Sequence, residues 1–219
     1  MKRKSLLAAV GFLAAFVLWT ILVCAVDVRS VGPNDSSVGL AGMNRFVHSL
    51  TGVRFLLYSL TDWLSLVPIC VCVGFAVLGL VQWIKRKHIC KVDSDILVLG
   101  GFYIGTFGAY LLFESLVINY RPVLIGGYLE SSYPSSTTML TICVMTTAGM
   151  QMEKRIPNQT IRRAVVIAIN GFTAFIVIGR FLSGVHWFSD IVGGILLSIG
   201  LVMMYRFICL WKEDRNEIC

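Results

Sequence analysis

The stretch Gly179-Arg180-Phe181-Leu182-Ser183-Gly184-Val185-His186-Trp187-Phe188-Ser189-Asp190 decides how this chain is read, because it sets Arg, His and Asp between two long apolar runs. Ionisable groups at membrane depth are expensive and are retained for function. With His186 at the start of a helix, Asp190 follows four residues later on the same face, where its carboxylate can accept a hydrogen bond from one imidazole nitrogen. That fixes the ring and leaves the other nitrogen as a nucleophile or base. The same cluster would also serve to pin a helix end by satisfying backbone groups, so the rest of the chain has to decide between the two roles.

Outward from this stretch the chain is apolar. It has 57% hydrophobic and only 14% charged residues, far from the composition of a soluble domain. Apolar runs of spanning length predict membrane helices near 5–26, 62–84, 96–118, 135–152, 164–183 and 188–210. The expected fold is therefore an all-α polytopic bundle of about six transmembrane helices, a single membrane-embedded domain over residues 1–219. The first run follows the basic start Met1-Lys2-Arg3-Lys4, but it outlasts a signal-peptide core and lacks a clear cleavage site, so it is expected to remain as an anchor.

The formal charge of +7 is distributed by topology. Lys2, Arg3, Lys4, Lys85, Arg86, Lys87, Lys91, Lys154, Arg155, Arg162, Arg163, Arg206, Lys212 and Arg215 fall on one side of six spans, whereas Arg29, Arg45, Arg54, Arg121 and Arg180 fall on the other. This is the positive-inside pattern, which predicts cytoplasmic termini and outward-facing loops after spans one, three and five. It makes nucleic acid an unneeded partner and leaves membrane lipids as the expected one. Cys24, Cys70, Cys72, Cys143 and Cys209 lie in predicted spans and Cys90 and Cys219 on the cytoplasmic side, so neither disulfides nor a metal clamp is expected.

The first outward loop, residues 27–61, holds a turn cluster at Gly32 to Ser37 and an amphipathic stretch from Asn44 to Leu50 that predicts an interfacial helix, with His48 a weak candidate for chemistry. In the second, Pro122 disfavours helix at Arg121, which ends the third span with its guanidinium at the outer boundary. Pro134 and Ser135 open the fourth span, and a helix first turn offers unpaired N–H groups to an anion. Ordinary capping explains Ser135 equally well. Gly100, Gly101, Gly105 and Gly108, and likewise Gly193 and Gly194, are expected to serve close helix packing.

Arg121, Ser135 and the group Arg180, His186 and Asp190 thus fall on one face under a topology derived from charge and run length alone. Two guanidiniums and a helix N-terminus suit a phosphoryl group, whose oxygens they bind and whose charge they neutralise. No metal-ligand set accompanies them.

At these residues the chain resembles the type 2 phosphatidic acid phosphatase family, membrane relatives of the vanadium haloperoxidases, with the signature K-x6-R-P, P-S-G-H and S-R-x5-H-x3-D. Arg121-Pro122 matches the end of the first part, Pro134-Ser135 the start of the second, and Arg180, His186 and Asp190 the third in full spacing, with Gly179 in place of its serine. The likeness spans residues 114–190. It implies a lipid phosphatase working without metal or other cofactor: His186 the nucleophile that forms a phosphohistidine, Asp190 its orienting partner, and Arg121, Ser135 and Arg180 the phosphate cradle.

Two departures stand beside it. The family's first-part lysine falls at Glu114, and its second-part histidine, the proton donor to the leaving group, falls at Thr137. Three activities are compatible with these changes. A lipid diphosphate, for example a prenyl diphosphate, has an easy leaving group and needs less protonation. Alternatively Glu130, Tyr128, Tyr133, His48 or Glu114 supplies the proton. In the third, the site is a catalytically silent lipid-phosphate binder or transport component, for which an oriented nucleophile has no evident use. Glu114 is expected to pair with Arg121 or Arg180. The site is expected to face outward from a cytoplasmic-type plasma membrane.

Overall fold

A computed structural model describes residues 1–216, so Cys219 lies outside the described residues. The chain is helical: α1 (Lys2–Ala25), α2 (Ala41–Thr51), α3 (Phe55–Leu64), α4 (Leu66–Arg86), α5 (Ser94–Ser115), α6 (Ser136–Arg155), α7 (Gln159–Leu182) and α8 (Phe188–Asn216). A two-stranded antiparallel ribbon, β1 (Arg29–Ser30) and β2 (Ser37–Val38), closes the turn after α1.

The protein is a multi-pass membrane protein, and the six expected spans correspond to α1, α3 with α4, α5, α6, α7 and α8. Five of these are long and apolar enough to cross a bilayer by composition; α6 is the exception. It carries Thr137, Thr138, Thr141 and Thr147, all buried, and packs against α4, α5, α7 and α8. A central helix meets protein on its sides, and two of these hydroxyls find partners internally: Thr147 Oγ1 donates to the Cys143 carbonyl at 2.8 Å, and Thr137 Oγ1 accepts from Arg180. The long α8 lies antiparallel along α1, which turns Ala9, Phe16 and Val23 inward at a seven-residue spacing. Gly200 admits Leu13 of α1 so closely that a Cβ there would lie 2.7 Å from it.

Three expectations are corrected. The second span begins earlier than residue 62 and is broken: α3 and α4 form one apolar stretch from Phe55 to Arg86 with a bend at Ser65. Pro68, in the first turn of α4, has no N–H to return to the Leu64 carbonyl, which ends α3 at that residue. The third span stops at Ser115, not near Arg121. The chain from Tyr120 instead pairs with Ser131 and reverses at Gly126-Gly127, both at positive φ, as a hairpin. Finally, Gly100, Gly101, Gly105 and Gly108 face outward, and a Cβ on any of them would meet nothing within 4 Å. Gly193 and Gly194 do serve close packing, against Tyr133 and Ser135.

The predicted interfacial helix is present as α2, which exposes Phe46 and Leu50 on one face and buries Ala41 and Asn44 on the other. The described cysteines are unbridged. The helix ends sort into two polar poles. Arg86 pairs with Asp93, Arg155 with Asp95 and Lys154 with Glu213 at one. Arg121, Arg180 and His186 lie at the other.

Candidate active site

The turn between α7 and α8 organises the second pole. Gly184 adopts φ +68°, and a side chain there would collide with the Gly52 backbone. The Arg54 N–H donates to the Ser183 carbonyl at 2.9 Å, His48 Nε2 lies 3.1 Å from the Gly184 carbonyl, and Trp187 Nε1 donates to the Tyr120 carbonyl at 2.8 Å. Asn44 of α2 exchanges two hydrogen bonds with Ser189: its Nδ2 donates to Ser189 Oγ at 2.9 Å and its Oδ1 accepts from the Ser189 N–H at 3.0 Å. The α1–α3 segment and the α5–α6 loop are therefore both strapped to the turn that carries His186.

His186 is 4% exposed, and neither ring nitrogen has a hydrogen-bond partner. Its Nδ1 lies 3.8 Å from Asp190 Oδ2, too far for the hydrogen bond expected from spacing but well within electrostatic reach. The distance has a cause. Asp190 sits in the first turn of α8, where its Oδ2 accepts the Trp187 N–H at 2.9 Å and its Oδ1 lies 3.3 Å from both Asn119 Nδ2 and Ser189 Oγ. It thus caps the helix and faces the imidazole at once, so the two roles read from sequence are not exclusive.

Arg180, 1% exposed, donates through Nη2 to Asp62 Oδ1 at 2.7 Å and to Thr137 Oγ1 at 2.6 Å. Its guanidinium lies 4.9 Å above the Tyr58 ring, and that of Arg121 lies 5.8 Å from the same ring. Arg121 Nε pairs with Glu130 Oε2 at 3.0 Å across the hairpin. After these contacts Arg180 Nε and Nη1, Arg121 Nη1, Ser135 Oγ and both His186 nitrogens remain buried without hydrogen-bond partners. Such atoms are costly to bury unmatched, and several of them gather at this pole. Ser135 is the N-cap of α6 but makes no side-chain cap, and its N–H donates to the Asp190 carbonyl at 3.0 Å. The resulting crevice is narrow and is lined by His186, Arg121, Pro134, Glu114, Tyr110 and Phe113, among others.

The expectation that Glu114 pairs with an arginine is corrected: Arg121 takes Glu130 and Arg180 takes Asp62, and Glu114 has no ion pair among the described residues. Of the suggested proton donors, Glu130 is held by Arg121, the Tyr133 hydroxyl is 2.7 Å from Thr20 Oγ1, His48 faces the Gly184 carbonyl, and Tyr128 is exposed at the hairpin tip. Sequence reasoning missed Tyr58 and Asp62, which α3 presents one turn apart. Asp62 carried a signal, as a lone carboxylate bordering an apolar run.

Asp62→Asn is expected to lower kcat/KM for any phosphate-bearing substrate by about 10- to 100-fold, chiefly through KM, because it loosens a buried guanidinium whose Nε and Nη1 have no partner. Steady-state kinetics check the split; an unchanged KM would show that Arg180 does not depend on Asp62 for its position.

Burial pushes the His186 imidazole down from its ordinary value to about 4; the nearby Asp190 opposes the fall, and Arg121 and Arg180 add to it. The ring is therefore neutral and nucleophilic near pH 7. Because the folded pKa lies below the unfolded one, the unfolded chain takes up the proton first. The corresponding stability is fully present above about pH 6.5 and lost as pH falls towards 4. The wild type is expected to lose on the order of a few degrees more in thermal midpoint than His186→Gln between pH 7 and pH 4.5, measured by thermal unfolding in detergent.

Fold and site together define an integral membrane protein with buried, unpartnered polar atoms of Arg121, Ser135, Arg180 and His186 at one pole. Residues 114–215 match the family model of the PAP2 superfamily. Its fold is shared with the crystal structure of a transmembrane PAP2-type phosphatidylglycerolphosphate phosphatase from Bacillus subtilis, at a TM-score of 0.60 and 16% identity, over 94% of this chain and 96% of that one. No curated protein sequence is a significant match.

Proposed function

We propose that the protein is a membrane lipid phosphatase that transfers the phosphoryl group of a lipid phosphate or prenyl diphosphate to His186 and then to water. The observation that carries this is the convergence of buried, unpartnered donors from Arg121, Arg180 and Ser135 around the unpartnered imidazole of His186. In the cradle, Arg121 Nη1, Arg180 Nε and Nη1, Ser135 Oγ and the first-turn N–H groups of α6 hold the phosphoryl oxygens. Asp190 faces Nδ1, so Nδ1 keeps its proton and the Nε2 lone pair forms the P–N bond as the P–O bond to the lipid breaks. Asp190 stabilises the imidazolium so formed. Water then cleaves the P–N bond, releasing inorganic phosphate and restoring neutral His186.

Segregation of Lys85, Arg86, Lys154 and Arg155 at the opposite pole supports an outward-facing site with cytoplasmic termini in a cytoplasmic-type membrane. A catalytically silent lipid-phosphate binder would need the cradle but has no use for an unpartnered imidazole beside a carboxylate. The test is phosphate release from phosphatidate, phosphatidylglycerophosphate and prenyl diphosphate by purified protein with chelator present. Release from at least one lipid, inhibited by vanadate, is the expected outcome; no release from any would leave binding or transport as the function.

A further inference from the structure

The two guanidiniums assigned to the phosphate come from different parts of the fold, Arg121 from the hairpin after α5 and Arg180 from the last turn of α7. Each has its own carboxylate, Glu130 for Arg121 and Asp62 for Arg180. Their common contact is Tyr58. The centroid of its ring lies 4.9 Å from the Arg180 guanidinium and 5.8 Å from that of Arg121, both inside the range in which a cation is attracted to an aromatic face. Two like charges with nothing between them repel, so a shared ring keeps them from drawing apart before a ligand arrives.

Tyr58 belongs to α3, which packs on α7, and the two helices come close at Gly179. A Cβ on Gly179 would lie 2.6 Å from Thr61 Cγ2 and 3.7 Å from Leu57 Cδ1. Thr61 cannot swing that methyl aside. It is fully buried, and its Oγ1 is held at 2.9 Å from the Leu57 carbonyl and 3.0 Å from that of Tyr58, which fixes its rotamer. The close approach falls one residue before the Arg180–Asp62 ion pair on both helices. Gly179 is also where the chain departs from the serine of the family signature, so the departure removes the side chain that would hold α3 away.

We propose that α3 is the positioning element of the phosphate site: the Tyr58 ring holds the guanidiniums of Arg121 and Arg180 together, and Gly179 sets the depth at which α3 delivers that ring. The proposal rests on the phosphatase function above, because it concerns the same two arginines. Tyr58 acts through them as a positioning residue. Arg180 Nε and Nη1 and Arg121 Nη1 are then left free of hydrogen-bond partners and already gathered, so a phosphoryl group meets donors that need not be assembled on binding. A tyrosine that merely filled space between α3 and its neighbours would cost stability when truncated and leave anion affinity alone.

The test measures orthovanadate binding by titration calorimetry in detergent, with KM for lipid phosphates beside it, for wild type, Tyr58→Phe, Tyr58→Leu, Gly179→Ala and Gly179→Ala combined with Thr61→Ser. Tyr58→Leu is expected to weaken vanadate binding by about 10- to 30-fold and to raise KM in parallel, because both guanidiniums lose the ring at once, whereas Tyr58→Phe keeps the ring and should stay within about 3-fold of wild type. Gly179→Ala is expected to weaken binding by about 10-fold. Adding Thr61→Ser removes the obstructing methyl, keeps the hydroxyl and should bring affinity back to within about 3-fold. Thermal midpoints show which variants fold, and should Gly179→Ala fail to, the tyrosine pair decides alone. Vanadate binding by Tyr58→Leu equal to wild type, undiminished binding by Gly179→Ala, or a loss there that Thr61→Ser does not recover would overturn the proposal and leave the phosphatase function standing. No vanadate binding by the wild type would overturn both.

Discussion

His186→Ala is expected to abolish phosphate release from every lipid that the wild type hydrolyses, a loss of about 10^4-fold or more in kcat. The size follows from the geometry. The polar groups nearest in role cannot replace it: Arg121 is a guanidinium, Ser135 Oγ lies at a helix start without a base hydrogen-bonded to it, and Asp190 accepts the Trp187 N–H. With the imidazole gone, the cradle would bind phosphate but have nothing to receive it. The fold should survive, because the ring makes no hydrogen bond whose loss would unbalance the turn, while Asp190, Asn119 and Ser189 keep their own contacts. Phosphate release together with a thermal midpoint close to that of wild type checks both halves. Residual activity above about 1% of wild type in a correctly folded variant would place the nucleophile elsewhere.

Gly184→Ala is expected to act the other way round, destroying the site through the backbone. A Cβ on Gly184 would lie 1.8 Å from the Gly52 carbonyl oxygen and 2.8 Å from its carbon, and the residue's φ of +68° is itself strained for any L side chain. Both obstructing atoms are main chain, so no rotamer change relieves the clash. The left-handed conformation alone costs about 1–3 kcal/mol in a non-glycine residue, and the collision raises the total above about 4 kcal/mol, the range reserved for severe backbone defects. Little folded protein should be recovered, and what is recovered should have lost the Arg54–Ser183 strap and the position of His186. The contrast is Gly105→Ala, an exposed helical position with nothing within 4 Å of the new methyl, which should leave activity unchanged and raise stability by up to about 1 kcal/mol. Yield and thermal midpoint of the two variants, measured side by side, separate a glycine required by close approach from one that is merely present in a helix.

These two glycines also show where local sequence stops being informative. In the chain they look alike, small residues amid apolar ones, and the spacing of the stripe on α5 predicts close packing. It faces outward, while Gly184 lies against the Gly52 backbone of another loop. Spacing states what a residue permits; only the arrival of a distant segment, here Gly52, states what it must avoid.

Much of the fold was nonetheless written in one dimension. Membrane helices are dictated by apolar run length, because a backbone in hydrocarbon must satisfy itself locally, and the charge asymmetry of the loops sorted their ends into the two poles found in the structure. The group Arg180, His186 and Asp190 was legible for a related reason: the residues lie within one turn of chain, and helical geometry alone sets two of them on one face. What tertiary structure decided were the partnerships between segments far apart in sequence. Asp62 reaches Arg180 across 118 residues, and Asn44 holds Ser189 across 145. Arg121 pairs with Glu130 and Arg180 with Asp62, and Glu114 has no ion pair among the described residues. Ion pairs and hydrogen bonds of that kind depend on which helix end packs beside which, a choice made by the whole bundle in burying its central helix and recorded in no single stretch of the chain.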